Sequence, residues 1–333
     1  MHNPKKCKGE LPFFTAKLSQ IMISSKLFWF FSRSSLFLPE REKHSGEAQP
    51  ACARQRTHRY SPVAAARPRS LSGLTLPFFH LQHCPMKLLI NPKYERVRPF
   101  LEHIDAYFAE GRSLRESRNS LRVCQWEDLE LNVKRFRQPC FFQRVAYTFL
   151  RRPKGLRAYE NPFRMHAAGV DSPEPVAYLE RRKGGLIAES FFVSVQCPYT
   201  RRFYEFATAP LTPEVLLVAR SFARLTARLH EAGILHLDYS PGNILFEVID
   251  GEPHFSLVDT NRMRFGSVSV AEGCRNFARL WGQPPFFEAM ADAYAEARHA
   301  SPAECRQRML SARRKFWKRY IRRHGAPFEM ELD

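Results

Sequence analysis

The sequence predicts an α+β architecture in two lobes, a small N-terminal lobe built on a β-sheet and a larger helical C-terminal lobe. Three observations carry this expectation. Short stretches with β-branched and aromatic character crowd the region before residue 197. A long amphipathic helix with a clear start signal follows, and the last third of the chain has a helical pattern throughout.

Residues 1–85 differ in character from the rest. They hold six Lys, seven Arg and four Glu but no Asp, and residues 40–72 show little hydrophobic periodicity. A globular pattern begins at Met86 with MKLLINPKYERV. The reading is a disordered or mispredicted extension over 1–85 and one domain over 86–333, with a small lobe at about 115–197 and a large lobe at about 198–325. A basic arm that touches membrane is the rival account of the extension.

Within the domain, strands are expected over 121–125 and 129–136, joined by the polar corner Trp126, Glu127 and Asp128. A helix over about 157–168 ends at Gly169, and 186–195 reads as a further strand. The helix at 213–232 has Thr212 as N-cap, Pro213 in its first turn and Gly233 after its end. Val215, Val218, Phe222, Leu225 and Leu229 form its buried stripe. Strands at 244–249 and 255–258 flank Asp250 and Gly251, a hairpin expected to have a loop longer than two residues.

The 44% hydrophobic fraction of the 333 residues suffices for a packed core. The formal charge of +19 favours anionic partners, whether nucleotides, phosphorylated sugars, acidic lipid or nucleic acid, without choosing among them. No recognised module supports specific nucleic-acid binding. The eight cysteines are scattered with no C-x-x-C pair, which fits reduced thiols in a cytoplasmic protein rather than a zinc site. No run of eighteen apolar residues reads as a membrane span.

Between the long helix and the hairpin stands HLDYSPGNIL, from His236 to Leu245, and LVDTN follows with Asp259. This order resembles the catalytic loop and metal-binding segment of the protein-kinase-like superfamily. The spacing suits phosphoryl transfer, which needs alignment and charge neutralisation more than covalent help. Asp238 would accept or orient the proton of an attacking hydroxyl. Asn243, across a tight loop containing Pro241 and Gly242, would reach a Mg²⁺ through its amide oxygen, and Asp259 would bridge metal and nucleotide phosphates. His236 would scaffold the loop from below. Upstream, Lys134 in LNVKRF stands like the lysine that grips the α- and β-phosphates, with Glu160 on the following helix as its expected partner.

HLDYSPGNILF, SLVDTNRMRFG, LNVKRFRQP and AYENPFRMHAAGVDSPEPVAYLE together resemble the lipopolysaccharide kinase family. The resemblance covers about residues 115–325. It implies a two-lobed protein-kinase-like fold, ATP with Mg²⁺, and a Kdo or heptose hydroxyl of the lipid A–core region as acceptor. The acceptor would be a sugar on a lipid-linked glycan at the inner face of the cytoplasmic membrane. There are departures from the protein-kinase pattern. No G-x-G-x-x-G precedes Lys134, so the phosphate cover falls to an ordinary turn near Arg118 and Asn119. Asn132 replaces the usual alanine, Ser240 in the catalytic loop replaces a lysine, and Asn261 replaces a glycine. The Ser240 change argues against an ordinary protein kinase. An atypical protein kinase, an aminoglycoside-type phosphotransferase and a nucleotide-binding pseudokinase are the alternatives, and retention of Asp238, Asn243 and Asp259 speaks against the last.

The stretch 306–323 holds nine basic residues among Met309, Leu310, Phe316, Trp317, Tyr320 and Ile321. Drawn as a helix it is either a large-lobe element with a solvated basic side or a surface that docks on anionic membrane.

Overall fold

The computed structural model describes residues 86–116 and 119–332; the expectations for residues 1–85 and for Arg118 lie outside the described residues. The N-terminal region is a six-stranded antiparallel sheet in the order β1-β5-β6-β4-β3-β2. Its strands are β1 (Met86–Ile90), β2 (Arg112–Glu116), β3 (Asn119–Trp126), β4 (Leu129–Phe136), β5 (Pro175–Lys183) and β6 (Leu186–Val195). Residues before 115, outside the expected small lobe, supply the edge strand β1 and two short helices, α1 (Arg98–Glu102) and α2 (Ile104–Glu110). Phe100, Leu101, Ile104 and Phe108 from these helices pack on Leu131, Val133, Phe191 and Val193 of the sheet.

Period-two alternation then turns the intervening residues of β4 to the opposite face. There Lys134 lies opposite Phe192 on β6, Phe192 opposite Tyr178 on β5, and Tyr178 opposite Leu89 on β1. This cross-strand row is the platform for α4 (Lys154–Ala167), which places Leu156 and Tyr159 against Tyr178. Gly155 makes the close approach possible. A Cβ there would lie 2.7 Å from Tyr178 Cε2. Between β4 and α4 runs α3 (Phe141–Val145), continued by a wider turn over Ala146–Leu150.

The C-terminal region is mainly helical. Its central helix α5 (Pro213–Glu231) begins where predicted, with the Thr212 hydroxyl accepting from the Val215 N–H at 3.3 Å. Val218, Phe222 and Leu229 are buried, joined by Ala219, Ala223 and Thr226. Four short strands follow or flank it: β7 (Arg201–Arg202), β8 (Ile234–His236), β9 (Ile244–Ile249) and β10 (Glu252–Leu257). The β9–β10 loop corrects the expectation, since it is only Asp250 and Gly251, with φ of 51° and 81°. Such a turn matches the strand twist, and Pro253 is tolerated because β10 lies at the sheet edge. β11 (Met263–Phe265) pairs with β8, and α6 (Val270–Asn276), α7 (Pro284–Ala297) and α8 (Pro302–His324) complete the region.

Helix α8 gives part of the apolar face of 306–323 to the core, while Leu310, Phe316, Tyr320 and Ile321 are half-buried. Cys305, Met309 and Trp317 are buried in protein. Arg313 is 1% exposed, donates to the carbonyls of Gly282 at 2.7 Å and Glu331 at 2.5 Å, and lies over the Phe287 ring. Among the described residues no helix is long and apolar enough to cross a membrane.

Candidate active site

The loop after β8 is fixed by His236, which is fully buried. Its Nδ1 accepts from the Asp238 N–H at 3.1 Å, and its Nε2–H donates to the Val258 carbonyl at 3.2 Å. Both bonds suit neutral imidazole, and burial holds His236 below its ordinary pKa against the pull of Asp259 and Asp238. The His236 carbonyl accepts from Asn276 Nδ2 at 3.0 Å. Asn276 Oδ1 in turn accepts from His230 at 3.1 Å, and Tyr294 donates to His230 Nδ1 at 2.9 Å. Tyr239, also buried, hydrogen bonds Thr226 of α5 at 2.7 Å. The loop therefore stands on a buried polar network.

Asp238 projects from this base. Its Oδ1 accepts from Arg279 at 2.5 Å, while Arg262 lies 3.6 Å from its Oδ2. Asn243 Nδ2 donates to the Asp238 carbonyl at 2.8 Å, which leaves the amide oxygen as the free end of that side chain. Ser240 takes part through its backbone: its N–H donates to the Asp238 carbonyl and its carbonyl accepts from Asn243, each at 2.9 Å.

Asp259 follows β10 with a φ of 56°, a left-handed conformation that aspartate tolerates better than most residues. Its Oδ1 accepts from Lys134 Nζ at 2.7 Å and also from Asn261 Nδ2. Burial alone would raise this carboxyl, but the charge and hydrogen bond of Lys134, with His236 and Arg262, hold it below the ordinary value. The structure thus joins Lys134 to Asp259, and the charge of Arg262, 3.6 Å from Asp238, also acts on Asp259.

The expected Lys134–Glu160 pair does not form, and this is a correction. Helix α4 turns Leu156 and Tyr159 to the sheet, and Glu160 instead pairs with Arg152 at 2.7 Å. The helix is tied to the site elsewhere. Asn161 Nδ2 donates to the Thr260 carbonyl at 2.6 Å, and the Thr260 hydroxyl reaches the Ala158 carbonyl at 3.4 Å. Asn132, one of the departures noted above, donates to Gln196 at 2.7 Å where the chain leaves the sheet.

Sequence reasoning missed the arginines of the site. Arg262 lies within the quoted SLVDTNRMRFG segment, so its place beside Asp259 could have been read. Arg279 is 41 residues from Asp238 and carries no local signal. It also missed Lys154 and Arg157 in the first turn of α4. Desolvation lowers the pKa of both, and cations oppose them further: Arg157 and Arg262 act on Lys154, Arg151 and Arg262 on Arg157. Arg157 Nε is buried without a hydrogen-bond partner. A cleft with a surplus of desolvated cations and an orphaned guanidinium N–H fits polyanionic phosphate. Among the described residues no three His, Cys, Asp or Glu side chains cluster to hold a metal alone. The Asp259 carboxylate and Asn243 amide oxygen nevertheless suit Mg²⁺, which takes one or two protein oxygens and completes its shell with phosphates and water.

This architecture, an N-terminal antiparallel sheet followed by a helical region, is a kinase-like fold. The model of the lipopolysaccharide kinase (Kdo/WaaP) family matches residues 109–283, more than half of the chain, and the protein belongs to that family. It is accordingly a kinase. Among solved structures, WaaP in complex with acyl carrier protein matches with a TM-score of 0.51 and 18% identity, over 71% of this chain and 98% of that one. A ternary complex of streptomycin, ATP and APH(2″)-IIa matches with a TM-score of 0.43 and 12% identity, over 68% and 93%. No curated protein matches the chain.

Proposed function

We propose that this kinase transfers the γ-phosphoryl group of ATP to a sugar hydroxyl, Kdo or heptose, on the lipid A–core glycan at the cytoplasmic face of the membrane. The observation that carries the reading is the juxtaposition of Lys134 with Asp259 at 2.7 Å, beside an Asp238 held by arginines. Lys134 takes the nucleotide phosphates, with Lys154 and Arg157 adding positive charge. Asp259 and Asn243 would hold Mg²⁺, which would supply neutralisation of charge on the phosphates. Asp238 orients the acceptor hydroxyl and receives its proton. Arg262 and Arg279 hold that carboxylate aimed, and they favour an acceptor that itself carries carboxylate or phosphate.

The test offers the purified protein radiolabelled ATP with Kdo-lipid A, heptosylated core and a generic protein in parallel. Label in one of the glycans and not in the protein supports the reading, and label only in the protein overturns it. Asp238→Asn should lower turnover by about 10²–10⁴-fold while ATP affinity stays nearly unchanged.

A further inference from the structure

The segment 141–150, which leads into α4, presents apolar side chains to solvent. Phe141, Phe142, Phe149 and Leu150 are 62%, 75%, 72% and 61% exposed, and the rings of Phe141 and Phe142 meet edge to face. Four large apolar residues exposed within ten are not the ordinary scatter of single surface hydrophobes. The charge around them has one sign. Between Glu130 and Glu160 the chain carries no acidic residue but eight Lys and Arg. Arg144 anchors the segment to the β5–β6 turn through the carbonyls of Ile187 at 2.7 Å and Lys183 at 2.9 Å, so its own charge meets no carboxylate. The nearby acids are spent: Glu160 pairs with Arg152, Glu189 with Arg135 and Arg181, and Glu180 is buried with Arg182.

We infer that 141–150 seats the enzyme on an anionic lipid bilayer, the phenylalanines entering the interface and Arg137, Arg151 and Lys183 meeting acidic headgroups. The charge excludes a second copy as the natural occupant, because two such faces repel. The segment runs through Arg151, Arg152 and Pro153 directly into α4, whose Lys154 feels the charges of Asp259 and Lys134. Seating it on the membrane therefore holds the phosphate cleft beside the lipid surface, within reach of a glycan rooted there. This rests on the lipid-linked acceptor proposed above and gives that acceptor its route of approach.

The test uses the full chain without ATP or acceptor, so its result is independent of the kinase reading. Sedimentation with phosphatidylcholine vesicles is compared with sedimentation on vesicles that also contain phosphatidylglycerol. Wild type should bind the anionic vesicles, and Phe141→Ser/Phe142→Ser/Phe149→Ser should weaken that binding about tenfold or more. Arg137→Gln/Arg151→Gln should weaken it by about fivefold per cation at low salt. Because these side chains are exposed, circular dichroism of the variants should match wild type. In a Phe142→Trp variant, anionic vesicles should shift the added emission to the blue. Equal vesicle binding by wild type and the triple serine variant would overturn the proposal. So would a wild type that ignores vesicles yet forms a dimer which the serine variant loses.

Discussion

Replacing Lys134 with Met is the most searching perturbation of the site, because it removes the contact that offsets the desolvation of Asp259. A charge-assisted hydrogen bond contributes about 1.5–3 kcal/mol when dry. Here the side chains are 17% and 33% exposed, so water screens part of it, and about 1–2 kcal/mol is expected. The sign with pH follows from the depressed carboxyl. Its folded-state pKa lies below the ordinary 3.8, so the stabilisation is present above that value and is lost as pH falls through the folded one. Urea unfolding of wild type, Lys134→Met, Asp259→Asn and the double variant should therefore show coupling near neutral pH that fades in acid. Both single variants should also bind Mg²⁺–ATP about tenfold or more weakly, since Lys134→Met loses a charged contact to the phosphates and Asp259→Asn loses the carboxylate proposed to hold the metal. Additive stabilities across the cycle, with unchanged nucleotide binding, would refute the reasoning.

Two further outcomes test the frame of the site. Gly155→Ala puts a methyl 2.7 Å from Tyr178 and 3.3 Å from Phe136, and should cost about 1–2 kcal/mol in thermal or urea unfolding despite the better helix propensity. His230 is pushed down to about 4 by burial, so only the unfolded chain gains its proton between the ordinary 6.5 and 4. Stability should fall over that window by about 3 kcal/mol, at about 1.36 kcal/mol per unit, and His230→Gln should flatten that slope even though His236 contributes in the same direction.

The proximity of Lys134, Asp238, Asn243 and Asp259 was legible because each sits in a short motif whose strand or loop dictates where it points. Period two sends Lys134 to the face opposite Leu131 and Val133, and a five-residue step around Pro241 and Gly242 folds Asn243 back on Asp238. Glu160 was misread because rotation of a helix over a sheet depends on which side chains fit beneath it. Gly155, Leu156 and Tyr159 decide that here, by how they fit against Tyr178 of β5. Arg279 was invisible for the same reason, its meeting with Asp238 being tertiary. The basic helix α8 shows a different limit. Amphipathic periodicity reveals a face that needs covering but not whether protein or lipid covers it, and Arg313 turned out to be a buried donor to two carbonyls.

How α4 is fastened bears on how this kinase holds its site together. In the expected arrangement a helix carboxylate would grip Lys134, and the lysine would be shared between the helix and the nucleotide. Here the helix bypasses the lysine and fastens to Thr260, the residue after Asp259, through Asn161 and the Ala158 carbonyl. The left-handed turn at Asp259 is thereby braced on one side by α4 and on the other by Asn261, which donates to the same carboxylate. Lys134 is left with Asp259 as its charged partner and lies in the sheet row on which α4 rests. Arriving phosphates would meet a lysine whose competitor is the carboxylate proposed to hold the metal. If Asp259 held Mg²⁺, Lys134 would be freer to meet the nucleotide, so metal and nucleotide should bind more tightly together than either does alone. The joint cost of breaking this contact is shared between the two ligands, and the same contact keeps Asp259 ionised when neither is present.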